Sequence, residues 1–304
     1  MTAGSGISVV ISAFRKREEV RENLDALARQ TLAPDETILV DNHSGDGTAE
    51  LVRERYPWVK LIETPHDRFG ACATFNLGFR AARGELIAIL DDDVVLPPDW
   101  LERMRDALRR EPATTAIVTC KVVEPGMPDS YRNDPEVNRP RYLATFRGCS
   151  SLARREPLER AGWYDERFFI YGNERDLAAR LLSAGHRIRM EPSIEAFHQT
   201  PFGMKMGARS LYFHVRNLWW YLFKHCSVAD VLRFLWHLVT GPFRKQRAHE
   251  VEAVGAIGGW KNLKATPGGV WIAVKATLAG FAGLPYCLRQ RRVCRAPDFK
   301  PPIG

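Results

Sequence analysis

The chain of 304 residues is 45% hydrophobic and 26% charged, which excludes a disordered or collagen-like polymer and allows one large α/β domain with an extension, or two modest domains. Its net charge of +8 is unevenly spread: residues 1–200 carry 28 Lys and Arg against 32 Asp and Glu, and residues 201–304 carry 16 against 4, so the basic end is expected to face something anionic. The six cysteines (Cys72, Cys120, Cys149, Cys226, Cys287, Cys294) form no C-x-x-C pair, which argues against a zinc knuckle or disulfide scaffold and for free thiols in a reducing cytosol.

The opening MTAGSGISVVISAF has neither the basic n-region nor the long apolar run of a signal peptide. Its β-branched residues predict a first core strand over 7–12. A polar-faced helix over 17–28 follows, then a strand over 36–40 that ends in the turn Asp41-Asn42-His43-Ser44-Gly45-Asp46-Gly47. Next come a helix at 48–55, a strand at 59–63, a helix over 72–83 and a strand over 86–90. Strands separated by helices of this length imply a mostly parallel sheet with right-handed crossovers. Ligands bind such sheets outside the carboxyl ends of the strands. Asp41 and the run Asp91, Asp92 and Asp93 both sit at such ends, which predicts a shared site. Residues 124–142, rich in Pro, Asp and Asn, read as a long surface loop and a candidate lid.

The acidic run carries the clearest chemistry. In extended chain, residues two apart face the same way, so Asp91 and Asp93 can converge on one ligand. Adjacent carboxylates repel unless a cation compensates, and a hard divalent ion shared with phosphate oxygens meets that need. The plainer alternative is a helix cap, but Asp99, after Pro97 and Pro98, is already placed to cap the next helix.

In register with these features, VVISAF, ILVDNHSGDGT, the N-x-G of Asn76 and Gly78, and GELIAILDDDVVLPPDW resemble glycosyltransferase family 2. The likeness continues through GWYDERFFIYGNERDLAARLLSAGHRI, Phe197-His198 and Arg216-Asn217. It implies a GT-A type, Rossmann-like α/β sandwich with an Asp-x-Asp motif as a catalytic domain over 1–225, followed by a helical, basic extension over 226–304. It also implies a nucleotide-sugar donor and Mn2+ or Mg2+ on its diphosphate. By the same resemblance Phe14 would stack on the base, Asp41 would accept a hydrogen bond from it, Asp91 or Asp92 would contact the ribose, and Asp93 and His198 would ligate the metal. Arg68 stands where many relatives carry Asn and could touch a phosphate. Asn76 and Gly78 would shape the loop and helix under the nucleotide. Each has a plainer reading: Phe14 as core, Asp41 as a turn initiator, His198 as a structural histidine and Arg68 as a surface cation.

One departure stands out. Where relatives usually show Glu-Asp-x-Asp-Leu with the first Asp as general base, this chain has Asn173-Glu174-Arg175-Asp176-Leu177. Glu174 keeps the carboxylate with one extra methylene, and it also suits the positive end of the helix that follows. Both roles can hold. Asp176 and Arg180, four apart, are spaced for a helix ion pair.

After residue 205 the texture changes. Residues 211–224 are aromatic and predict a helix, 228–240 are apolar with Arg233 and His237 interrupting, and 270–288 form one Ala- and Gly-rich apolar stretch holding Lys275 and Pro285. Lys275 argues against a membrane span. The alternatives are an interfacial helix on anionic lipid, packing on the catalytic domain, and packing on a second subunit. No nucleic-acid motif accompanies the charge. The reading is thus an inverting glycosyltransferase that acts on a glycan or lipid-linked acceptor, in the cytoplasm or on the cytosolic membrane face. Sugar-1-phosphate nucleotidyl transfer is an alternative, although the first turn, Ser12 to Lys16, lacks glycine; a catalytically silent scaffold is another.

Overall fold

The computed structural model of the protein describes residues 6–202, 207–240 and 263–302. Trp260, one of the five C-terminal tryptophans, lies outside them. The first half alternates as predicted: β1 (Ile7–Ala13), α1 (Arg17–Ala28), β2 (Glu36–Asp41), α2 (Thr48–Arg55), β3 (Val59–Glu63), α3 (Ala71–Ala81) and β4 (Leu86–Asp91). Then follow β5 (Val94–Val95), α4 (Trp100–Arg110), β6 (Thr115–Val123), α5 (Asp129–Arg132), β7 (Arg141–Tyr142), β8 (Ser150–Arg154), α6 (Arg155–Ala161), α7 (Asn173–Ser183) and β9 (Arg187–His198). The C-terminal helices are α8 (Ala208–His225), α9 (Val228–Thr240), α10 (Gly269–Ala282) and α11 (Leu284–Arg289).

The nine strands form one sheet in the order β3-β2-β1-β4-β8-β6-β9-β5, with β7 beside β9. β3, β2, β1 and β4 run parallel, whereas β8 is antiparallel to β4 and β6, and β6 returns to a parallel pairing with β9. β1 and β4 are apolar on both faces because helices cover both. Val9 and Ile11 of β1 join Leu24, Trp100 and Leu101 in one core. Val10 faces the other way, toward Phe75, Phe79 and Leu177. Gly78 lets α3 approach the sheet: a Cβ there would lie 2.4 Å from Val10 Cγ1.

Three local expectations are corrected. Residues 124–142 are not a structureless loop but contain α5 and the edge strand β7, which pairs with Met190 and Arg189 of β9. Asp99 occupies the cap position of α4 but makes no capping bond; its carboxylate lies 3.5 Å from Arg103. The stretch 270–288 is two helices, divided at Gly283 with Pro285 in the first turn of α11, where its missing N–H costs nothing. The small residues there serve close packing: a Cβ on Gly280 would lie 2.9 Å from Trp219 Cβ and one on Gly283 would collide with the Trp220 indole. Trp220 Nε1 donates to the Gly280 carbonyl at 3.2 Å. Among the described residues no helix is long and apolar enough to cross a membrane.

A buried ionic knot fastens this end to the sheet domain. Asp176 of α7 is fully buried, with Arg180 Nη2 at 2.8 Å, Lys224 Nζ at 2.5 Å and His225 Nε2 at 2.9 Å. The predicted pair with Arg180 therefore forms, and two residues of α8 join it. Lys224 also bonds Asp165 at 2.8 Å, and the Tyr286 hydroxyl of α11 donates to the same carboxylate. Burial alone would raise the Asp176 carboxyl, but Arg180, His225 and Lys224 outweigh it and hold it well below the usual carboxylate range. The stability it contributes is complete above about pH 4 and is lost only as pH falls through that depressed value. Asp176→Asn leaves buried cations uncompensated and is expected to cost about 3–5 kcal/mol, read as a lower denaturation midpoint at pH 7; an unchanged midpoint would show the knot to be dispensable.

Candidate active site

β4 ends at Asp91, and Asp92 and Asp93 form the turn into β5. β5 then pairs antiparallel with the end of β9, setting Val94 opposite His198. That register brings the imidazole beside the acidic turn, with His198 Nε2 3.2 Å from Asp93 Oδ1. Asp91, Asp93 and His198 each offer a ligand atom, and these atoms lie within 4.8 Å of one another. The other ring nitrogen, Nδ1, lies 3.0 Å from Glu124. A carboxylate behind the histidine fixes its orientation, as it does at many metal centres. Two carboxylates and an imidazole so disposed fit a divalent ion such as Mn2+ or Mg2+.

The electrostatics show the strain of collecting these charges. Burial, then Asp92 and Asp93, push the Asp91 carboxyl up to about 7. Burial raises Asp92 to about 6, with Lys16 and the Phe14 N–H restraining the rise. Burial also disfavours an ionised Asp93, but His198 and Lys16 hold it below the usual range. Burial works against a charged His198, yet its bonds to Asp93 and Glu124 raise it to about 10. Lys16 Nζ sits 2.6 Å from Asp93 and 3.5 Å from Asp92, and Thr200 Oγ1 donates to Asp93 at 2.9 Å.

Glu174 lies in the first turn of α7, entered through Gly172 at φ 73°. Asn173 Nδ2 donates to its Oε1 at 3.1 Å. A Cβ on Gly148 would lie 2.3 Å from the same oxygen, so glycine there makes room for the longer acidic arm. Burial raises the Glu174 carboxyl, and its charge is one of those felt by Asp91. The Glu174 side chain is half-buried. The chain leading to it is strained: Phe169 and Tyr171 have φ of 68° and 65°, unusual for bulky residues. Asn217 of α8 holds this segment, donating to the carbonyls of Phe168, Ile170 and Tyr171 at 3.0, 2.8 and 2.7 Å, and Arg216 donates to Arg167 and Phe168.

A family match covers the first half of the chain, including the acidic run: residues 8–162 fit the model of glycosyl transferase family 2. The chain belongs to that family. Over 240 residues it is 27% identical to N-acetylglucosaminyl-diphospho-decaprenol L-rhamnosyltransferase of Mycobacterium tuberculosis, covering 63% of this chain and 75% of that enzyme. Over 241 residues it is 25% identical to chondroitin synthase of Escherichia coli, covering 65% of this chain but only 35% of that protein. In fold it is similar to a mannosyltransferase of Pyrobaculum calidifontis in complex with GDP-Man and Mn2+, at TM-score 0.56 and 19% identity over 93% of this chain and 76% of that one. It is also similar to GalNAc-T7 with UDP, GalNAc and Mn2+, at TM-score 0.60 and 14% identity over 79% of this chain and 51% of that one. The architecture is the GT-A fold, and the chain spans 35% and 48% of the length of two of the curated relatives it matches.

In this family 2 glycosyltransferase the predicted residues separate into groups. Asp91, expected with Asp92 at the ribose, stands with Asp93 and His198. Asp92 points elsewhere and accepts the Phe14 N–H at 2.9 Å. The Phe14 ring is half-buried, with the Arg15 guanidinium 4.8 Å above it. Asp41 is buried and accepts both the N–H and hydroxyl of Ser44, so its turn-forming role is realised. Next to that turn lies a cleft of about 610 Å³ lined by Arg15, His43, Ser44, Asp46, His66 and Arg68. Asn76 does not open toward a ligand: its amide bonds the backbone N–H and carbonyl of Tyr164 and the Glu166 carboxylate, tying α3 to the segment before Glu174.

Lys16, Glu124, Thr200 and Gly148 were missed by sequence reading. Each comes from a separate turn or loop, and no spacing in the sequence links it to the acidic run. Gly148 carries a direct test. Gly148→Ala should displace Glu174 and lower kcat by about 10²-fold with a much smaller change in nucleotide affinity; steady-state kinetics beside nucleotide titration separate the two, and an unaltered kcat removes the steric role.

Proposed function

We propose that this glycosyltransferase moves a sugar, with inversion, from a UDP- or dTDP-linked donor to a hydroxyl of a glycan or lipid-linked acceptor. The observation that carries the reading is the meeting of Asp91, Asp93 and His198 at the strand ends, with the half-buried carboxylate of Glu174 in the first turn of α7. In it Glu174 takes the acceptor proton, the freed oxygen attacks the anomeric carbon, and the bond from that carbon to the diphosphate breaks. Desolvation that raises Glu174 makes it a stronger base, as proton abstraction from a hydroxyl requires. A divalent ion, Mn2+ or Mg2+, held by Asp91, Asp93 and His198 would offset the charge of the departing nucleoside diphosphate. Phe14, Asp41 and the cleft bounded by Arg15, His66 and Arg68 receive the nucleoside, and Asp92 holds the Phe14 backbone in place.

A lipid-linked acceptor is supported by the mycobacterial relative, whose name specifies a decaprenol-linked substrate. Catalysis is assigned to 1–225, and the basic helices of 226–304 keep the enzyme peripheral on the cytosolic membrane face. Their charge and exposed tryptophans support that placement.

Two measurements test the reaction. In calorimetric titration of UDP with Mn2+, Asp93→Ala should weaken binding by at least about tenfold, since it removes a charged ligand next to the diphosphate; equal affinity in the variant would sink the metal assignment. Glu174→Gln should keep donor affinity while kcat for transfer falls by about 10²–10⁴-fold, and wild-type turnover would remove Glu174 as the base.

A further inference from the structure

The C-terminal helices hold most of the exposed apolar surface of the described residues. Twelve large hydrophobic side chains are exposed among the described residues, and ten of them lie in α9, α10 and α11. Such concentration marks an interaction surface rather than ordinary scatter. On α9, Val228, Leu232, Leu235 and Trp236 face outward at helical spacing while Phe234 is buried. On α10, Val270, Trp271, Val274 and Leu278 face outward while Ala276 and Gly280 lie against α8. The two outward faces are neighbours, because both helices pack on one residue of α8. The Trp219 ring lies 5.7 Å from Phe234 of α9 and 5.2 Å from Phe281 of α10, and its Nε1 donates to Thr277 at 3.0 Å.

Cations surround this apolar face. Arg233, Lys275, Arg289 and Arg292 are exposed, and Lys275 Nζ stands 5.3 Å over the Trp271 ring. Residues 201–304 hold 16 Lys and Arg against 4 Asp and Glu. We propose that this face docks on an anionic lipid bilayer, with α9 and α10 lying in the interfacial plane, their apolar side chains among the upper acyl chains and their cations at the headgroups. An apolar stripe with tryptophans, flanked by Lys and Arg, is the chemistry of an interfacial helix. A second copy is the poorer occupant, since it would bring two strongly basic surfaces together, whereas acidic headgroups attract them. The docked face is one helix away from the catalytic carboxylate: α8, which receives α9 and α10 at Trp219, holds the strained segment before Glu174 through Arg216 and Asn217.

The inference rests on the membrane-peripheral reading above, but its test uses neither donor nor acceptor, so its failure leaves sugar transfer standing. The full chain is sedimented with vesicles of phosphatidylcholine alone and of phosphatidylcholine mixed with phosphatidylglycerol. Binding to the mixed vesicles, weakened by salt and reduced about tenfold in Trp236→Ser/Trp271→Ser through lost interfacial anchoring, is the expected result. Mn2+-dependent UDP binding and the unfolding transition, measured on the same variant, show that it is folded. A second variant, Arg289→Glu/Arg292→Glu, should lose the preference for phosphatidylglycerol. Wild-type protein that stays in the supernatant with mixed vesicles, or a tryptophan variant that binds as wild type does, overturns the proposal. Self-association abolished by the tryptophan variant, with no vesicle binding, would assign the face to a second copy instead.

Discussion

A carboxylate cut off from water must be met by cations, and Asp176 is met by three groups from two helices. Arg180 comes from its own helix, but Lys224 and His225 come from α8, so ionisation of one side chain requires α7 and α8 to stay in contact. Asp165, bonded to Lys224 and Tyr286, extends the same constraint to α11. Glu174 stands two residues before Asp176, and the strained backbone that precedes it is clamped by Asn217 from α8. The position of the Glu174 carboxylate is thus tied to a charge cluster on the same helix.

The opposite side of the pocket is governed by repulsion. Asp91, Asp92 and Asp93 sit where burial is deep and like charges are adjacent, which raises two of the three carboxyls. Compensation arrives from separate elements: Lys16 after β1, His198 at the end of β9 and, through His198, Glu124 after β6. A two-residue strand, β5, does the essential positioning, because its pairing with β9 sets His198 across from Val94. The parallel half of the sheet presents the acidic run, and the antiparallel edge supplies its partners.

The division of charge along the chain has a spatial counterpart. The mildly acidic first 200 residues hold the cluster of Asp91, Asp93 and His198, whose ligand atoms can hold a cation. Among the described residues of the basic remainder, Trp236 and Trp271 are exposed, as are Arg233, Arg289 and Arg292. A single helix, α8, connects the two surfaces, with Asn217 turned to the pocket and Trp219 to the C-terminal helices.

Much of the first half was legible from local chemistry. Apolar runs of β-branched residues between amphipathic segments specify parallel strands and crossover helices, and all seven elements from β1 to β4 lie within a few residues of their predicted ends. Period-two alternation alone indicated that Asp91 and Asp93 face one ligand, and i, i+4 spacing indicated the Asp176–Arg180 pair. The roles of single side chains were harder to read. Asn76 was expected to shape the loop and helix under the nucleotide, but nothing in the sequence pointed to Tyr164 as the partner of its amide, and the apolar run at 270–288 gave no hint that its glycines make room for indole rings. Such contacts join residues far apart in the chain, and no local propensity encodes them. Periodicity and charge, set by neighbours in the sequence, determined which elements form and where carboxylates gather. Tertiary structure decided which cation meets which carboxylate and which apolar face is left uncovered, because both depend on how sheet and helices close over long distances in the chain.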